Sequence, residues 1–166
     1  MNSKLVVADP IKCTGCGECQ TVCSLSQCGV SNPALSRIRI VNRQHEGLYI
    51  PVSCQQCEDA PCMAVCPKEA IYRDQLFNRV MINYDRCISC RMCISACPFG
   101  AMGFDSKAQK IFKCNLCDGN PQCVNFCYPK SLSYVEPERI PYSRLRYFAS
   151  TYIGIRRSRN ALLQGQ

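Results

Sequence analysis

Sixteen of the seventeen cysteines in this chain of 166 residues fall into four runs of nearly one pattern. Cys13, Cys16, Cys19 and Cys23 form the first run, and Cys54, Cys57, Cys62 and Cys66 the second. Cys87, Cys90, Cys93 and Cys97 form the third, and Cys114, Cys117, Cys123 and Cys127 the fourth. Runs one and three read C-x2-C-x2-C-x3-C, while runs two and four widen the middle gap to four and five residues. A cubane iron–sulfur cluster needs four thiolates aimed at its four iron corners, and three closely spaced cysteines let one loop fill three of them. The chemistry of such a constellation is electron transfer. No run has lost a ligand, which predicts four full [4Fe–4S] clusters and no three-iron variant.

The unbroken C-x2-C-x2-C-x3-C spacing is the ligand run of bacterial-type ferredoxins, where the fourth cysteine of a run binds the other cluster of a pair. Each cluster is then held by two separated stretches of chain, which makes cluster assembly part of folding. Gly15 and Gly17, between the first ligands, suit a loop that must turn its N–H groups toward sulfur, since glycine adopts positive φ at little cost. Pro67 and Pro98 follow the last cysteine of runs two and three, as in the ferredoxin ending. Run four has Tyr128 before Pro129, and run one has Ser24 in place of proline, so these two runs are expected in different surroundings from the middle pair. Zinc is the main rival, but structural zinc sites draw on two separate pairs of ligands rather than three cysteines in a row. A Rieske centre needs two histidines, and His45 is the only one. An odd cysteine count and triple-cysteine runs fit a disulfide scaffold poorly. Cys28, outside the pattern, reads as a small buried hydrophobe, and His45 as a surface or hydrogen-bonding residue.

The elements that must position these loops are short. Residues 36–42 and 48–52 alternate as two strands joined by a turn near Glu46–Gly47. Residues 71–73 with 80–83, and 101–104 with 110–112, read as hairpins after runs two and three, and residues 132–135 close the series. Short helices are expected near the third or fourth cysteine of some runs, at residues 64–66 and 94–97. This is an α+β pattern of two ferredoxin-like units with two clusters each, a pseudo-repeat. Which runs pair is not decided by spacing, because the gaps of 20 and 16 residues that separate runs two, three and four can each hold a hairpin. Tryptophan is absent and aromatic content is 8%. The clusters are therefore expected to act as inorganic staples in place of a large core, and their loss to unfold the chain.

The formal charge of +8 invites a nucleic-acid reading. Sixteen ligating thiolates subtract sixteen and four oxidised [4Fe–4S]2+ cores add eight, so the loaded chain sits near zero. The lysines and arginines are then counter-charges for anionic clusters, and no nucleic-acid partner is expected. No stretch has the apolar length of a membrane span. Thiolate chemistry of this kind, and an N-terminus without an apolar signal core, predict a cytoplasmic protein.

The segment Tyr49–Pro67, with its widened second run and Cys66-Pro67 ending, resembles the iron–sulfur subunits of molybdenum and tungsten oxidoreductases, such as those of dimethyl sulfoxide reductase and formate dehydrogenase. The resemblance covers about residues 1–136, and it is narrowest to the small subunit accompanying tungsten-containing aldehyde oxidoreductases. The chain is compact beside many members of that family and lacks their membrane-anchor tail. The resemblance implies nested pairing: Cys13, Cys16 and Cys19 with Cys127; Cys114, Cys117 and Cys123 with Cys23; Cys54, Cys57 and Cys62 with Cys97; Cys87, Cys90 and Cys93 with Cys66. It also implies a non-catalytic electron-transfer subunit between a large tungsten- or molybdenum-pterin catalytic subunit and a flavin subunit or other acceptor. The alternative is a free-standing polyferredoxin or cluster-carrying accessory protein.

After residue 136 the cysteines stop. Residues 137–166 carry six arginines against one acid, Glu138. Leu145, Phe148, Tyr152 and Ile155 recur as a helical stripe, continued by Leu162. The segment reads as a basic helical arm, which either packs back on its own body or docks on another subunit, further copies of this chain included.

Overall fold

The computed structural model describes residues 4–43 and 47–137. The chain divides after Glu136 into two units, and every described strand and helix belongs to the first. The helical stripe of the arm, His45 and the turn residue Glu46 lie outside the described residues.

Eight short strands pair two by two, all antiparallel. β1 (Leu5–Ala8) pairs with β8 (Leu132–Val135), so the first strand meets the last, with Leu5 opposite Val135. β2 (Ile38–Arg43) and β3 (Leu48–Ser53) form the longest hairpin, in the register Ile38 to Ser53. β4 (Ile71–Asp74) pairs with β5 (Arg79–Ile82), and β6 (Met102–Asp105) with β7 (Lys110–Lys113). These last two hairpins are copies in detail. Asp74 Oδ1 accepts from the N–H of Leu76 at 3.2 Å, and Asp105 Oδ1 from those of Lys107 and Ala108 at 2.9 and 3.1 Å. Such side-chain-to-backbone bonds are what make aspartate a turn starter. Each turn ends on a residue of positive φ, Asn78 at 48° and Gln109 at 52°.

Four helices carry cysteines: α1 (Glu18–Cys28), α2 (Pro61–Ala64), α3 (Met92–Ala96) and α4 (Gln122–Asn125). α1 packs on α4 and α2 on α3. Proline limits two of them. α2 and α3 end before Cys66-Pro67 and Cys97-Pro98, since the residue before a proline is steered out of the helical region. Run one has Ser24 there instead, and α1 continues for eleven residues until Gly29, at φ 70°, closes it by donating to the Leu25 carbonyl at 2.9 Å. Ser24 is fully buried, donating to the Thr21 carbonyl and accepting from the Asn32 N–H. The sequence pattern located the hairpins and two of the helices to within a few residues; α1 and β1 it did not anticipate.

The core is split in two. One part gathers Val6, Ile38, Leu116 and Leu132 with Cys19, Cys23, Cys123 and Cys127. The other gathers Ile71, Val80, Ile82, Met102 and Ile111 with Cys93, and Cys57, Cys62, Cys66, Cys87 and Cys97 pack against it. In each part the apolar side chains pack around cysteines as well as on one another. Among the described residues no helix is long and apolar enough to cross a membrane.

Candidate functional site

One backbone shape recurs in all four runs. The residue two positions after the first cysteine has positive φ every time: Gly15 at 73°, Gln56 at 51°, Ser89 at 55° and Leu116 at 58°. Only one of the four is glycine. For the others this left-handed geometry costs about 1–2 kcal/mol each, a strain that persists where the surroundings over-determine it. In run four the left-handed residues continue through Cys117, Asp118 and Gly119.

The far end of the runs repeats as well. Glu69, Gly100 and Lys130, each three residues past a fourth cysteine, have positive φ and donate to the carbonyls of Cys66, Cys97 and Cys127 at 3.1–3.2 Å. One residue further on, the N–H groups of Ala70 and Ala101 reach Cys66 Sγ at 3.2 Å and Cys97 Sγ at 3.4 Å. At the corresponding position Ser131 Oγ stands 3.7 Å from Cys127 Sγ. Cys23 receives the Arg37 N–H at 3.3 Å, Cys114 that of Leu116 at 3.4 Å, and Cys117 the side-chain amide of Gln27 at 3.3 Å. Donors aimed at sulfur favour the thiolate and tune whatever the thiolate binds.

The expected ligands converge across runs. One cavity of about 360 Å3, partly open to solvent, is lined by Cys87, Cys90 and Cys93 from run three and Cys66 from run two. A second, of about 350 Å3, is lined by Cys54, Cys57 and Cys62 from run two and Cys97 from run three. In the other half, the charge neighbours of Cys19 are Cys16, Cys13 and Cys127, and those of Cys123 begin with Cys114, Cys23 and Cys117. Electrostatic coupling also runs from group to group. Cys123 feels Cys19, Cys114 feels Cys54, and Cys93 feels Cys62. Of the sixteen, only Cys16 and Cys90 are exposed. None of the seventeen cysteines is joined in a disulfide.

Burial dominates their acidity. It pushes Cys19 and Cys114 up to about 12 and Cys93 up to about 11, with neighbouring thiols adding to the effect at Cys19 and Cys93. Cys123 rises for the same reason, and so does Cys62, where Lys113 pulls the other way. Cys66 is the exception. Burial raises it too, but the N–H groups of Ala70, Lys68 and Ile71 together outweigh that and leave the thiol more acidic than usual. Buried thiols of high pKa become good ligands only when cationic iron displaces their protons.

The donor set fits a cluster better than an ion. Among the described residues no three Cys, His, Asp or Glu side chains converge on a point where a single metal ion could be held. Three thiols of one closely spaced run and one from another, set around a cavity, suit the four iron corners of a cubane better than a zinc site built from two separate pairs. Cys28 corrects an expectation: it lies exposed at the C-terminal end of α1, because the helix runs on past the cysteine-bearing face that is buried at Cys19 and Cys23.

Comparison with known proteins agrees with this chemistry. Residues 45–136 match the model of the 4Fe-4S dicluster domain, and residues 11–30 that of a 4Fe-4S binding domain. The chain is 37% identical to the putative electron transport protein YsaA of Escherichia coli K12, over 87% of this chain and 97% of that one. It is 37% identical to the polyferredoxin-like subunit of the aliphatic sulfonate oxidoreductase of Pyrococcus furiosus, over 74% of this chain and 70% of that one. It is 34% identical to the electron transport protein HydN of E. coli K12, over 83% and 91%.

Proposed function

We propose that this chain, which belongs to the 4Fe-4S dicluster family of ferredoxin-like proteins, is the four-cluster electron relay of an oxidoreductase complex. It carries electrons and is not itself an enzyme. Four [4Fe–4S] clusters, when bound, supply reversible one-electron storage. The chain's own residues space them, keep water off them and set their potentials.

The ligand sets of this reading are Cys13, Cys16, Cys19 and Cys127; Cys23, Cys114, Cys117 and Cys123; Cys54, Cys57, Cys62 and Cys97; and Cys66, Cys87, Cys90 and Cys93. Each outer or inner pair of sets makes one ferredoxin-like unit, and the two units form the pseudo-repeat. The observation that carries the relay is the order of the sets. Electrostatic coupling of Cys123 to Cys19, of Cys114 to Cys54 and of Cys93 to Cys62 supports that order, and the two exposed members of the sixteen, Cys16 and Cys90, belong to the sets at its ends. A line with one exposed cysteine in each end set and none in the middle sets suits a conduit between two partners.

One partner is a tungsten- or molybdenum-pterin catalytic subunit and the other a flavin subunit or comparable acceptor. A named polyferredoxin-like subunit of an oxidoreductase among the relatives supports a catalytic partner of that broad class. Residues 138–166, with their arginines and apolar stripe, form the arm that docks on a neighbouring subunit or on a second copy. Chemistry built on unprotected thiolates belongs in the reducing cytoplasm.

Anaerobic isolation of the native complex tests the reading. Molybdenum or tungsten in a copurifying subunit, together with iron in this chain, supports it; the same chain isolated alone with its iron makes it a free-standing polyferredoxin. Deleting residues 138–166 and finding the assembly size unchanged by light scattering rejects the docking arm.

A further inference from the structure

A buried positive charge sits at the middle of this line. Lys113, at the end of β7, is 4% exposed and lines the cavity of Cys54, Cys57, Cys62 and Cys97. Its Nζ donates to the Val80 carbonyl, to the Cys114 carbonyl at 2.9 Å and to Gln56 Oε1 at 3.4 Å. Three donors meet three oxygens, the full complement of an ammonium. Gln56 is held for the task. Its Nε2 donates to the Cys114 carbonyl at 3.1 Å, and its Oε1 also accepts from the Val80 N–H at 2.9 Å.

All three acceptors are neutral. Among the described residues no ion pair reaches Lys113. A buried ammonium without a carboxylate is costly unless another anion answers it. It lines one cavity with Cys62 and donates to the carbonyl of Cys114, in the next set along. A side chain needed only to tie β5 to the Cys114 loop could be neutral, since every partner is a neutral oxygen. The charge itself therefore requires an explanation.

We propose that Lys113 is the fixed positive charge that raises the reduction potentials of the two central clusters, those of Cys54, Cys57, Cys62, Cys97 and of Cys23, Cys114, Cys117, Cys123, from a position shared between them. This rests on the four-set reading above. Adding an electron makes a cluster more negative, so a nearby cation in a medium of low polarity favours the reduced form. The two end clusters lie on the far sides of these sets and are expected to feel little.

The test is a redox titration followed by electron paramagnetic resonance on the anaerobically isolated full-length protein, with iron counted in every sample. In Lys113→Met and Lys113→Gln, the reduced-to-oxidised ratio of two clusters at fixed potential falls about tenfold, equivalent to about 59 mV for a one-electron couple. The other two clusters stay put, and Lys113→Arg, which keeps the charge, restores values near wild type. Unchanged potentials in all four clusters, a common shift of all four, or wild-type potentials in Lys113→Gln would overturn the proposal. Loss of iron from both neutral variants would also overturn it, by making Lys113 a folding staple. Failure of the four-set reading looks different, because the wild-type chain would then lack its full iron.

Discussion

The first loop offers a sharp test, because two neighbouring glycines differ in one physical respect. Gly15 and Gly17 both have positive φ, 73° and 80°, and flank Cys16. A Cβ on Gly15 would stand 2.5 Å from Cδ1 of the Tyr49 ring, whereas a Cβ on Gly17 would have nothing within 4 Å. Gly17→Ala therefore carries only the backbone cost of a left-handed alanine, about 1–2 kcal/mol. Gly15→Ala carries the same cost plus overpacking against the ring, about 1–3 kcal/mol more, for a total of about 2–5 kcal/mol. Anaerobic thermal melts read by the visible absorbance of the clusters would separate them, each kcal/mol moving the midpoint by about 3–5 °C for a body of this size. Removing the ring should recover the difference, so Gly15→Ala with Tyr49→Leu should melt near Gly17→Ala. Equal losses in the two single variants would mean that Tyr49 does not close over the loop. No loss in either would mean that the loop is not left-handed at these positions.

Three further outcomes rest on the described contacts. Arg79, 7% exposed, pairs with Asp74 inside its own hairpin at 3.0 Å and reaches the run-four loop through Asp118 at 2.6 Å and the Asn115 carbonyl at 2.5 Å. Arg79→Met leaves that carbonyl without its donor and should cost about 1–3 kcal/mol in anaerobic denaturant melts; a neutral result would show that the hairpin holds the loop without it. The Asp74 carboxyl is held below its ordinary value of 3.8, by the Leu76 N–H and then by Arg79. A lowered folded-state pKa gives stability that is present above the unfolded value and fades as pH falls from there through the folded one. The advantage of wild type over Asp74→Asn should thus be constant from about pH 5 to 7 and shrink toward pH 4, and an advantage independent of pH would refute the linkage. Stripping iron anaerobically with a chelator should abolish the far-ultraviolet circular dichroism of α1 and the hairpins, since both cores close around cysteines. A retained spectrum would mean that the apolar residues suffice alone.

The cysteine runs and the hairpins were legible because each is local. Residues 71–82 and 102–113 announce themselves by short apolar stretches around polar turns that start at Asp74 and Asp105. β1 was not legible: Leu5–Ala8 has no alternation, and its partner Leu132–Val135 lies at the other end of the body. The length of α1 was written in the lack of a proline after Cys23 and in Gly29, signals overshadowed by the cysteines between them. Positive φ at Gln56, Ser89 and Leu116 has no signature in residue type, since tertiary context imposes it. Lys113 looked like one more basic residue, and only the register of β7 and its meeting with Gln56 and Val80 reveal a buried charge. Cys28 went the other way: a cysteine outside the pattern suggested a core filler, but it falls where α1 has passed the buried face.

The measurement closest to the central claim is the iron and acid-labile sulfide content of the chain isolated without oxygen. Four cubane clusters require about sixteen irons and about sixteen sulfides per chain. About eight of each would leave two of the four thiol sets without a cluster and break the line between Cys16 and Cys90. Zinc in place of iron would contradict the account as a whole.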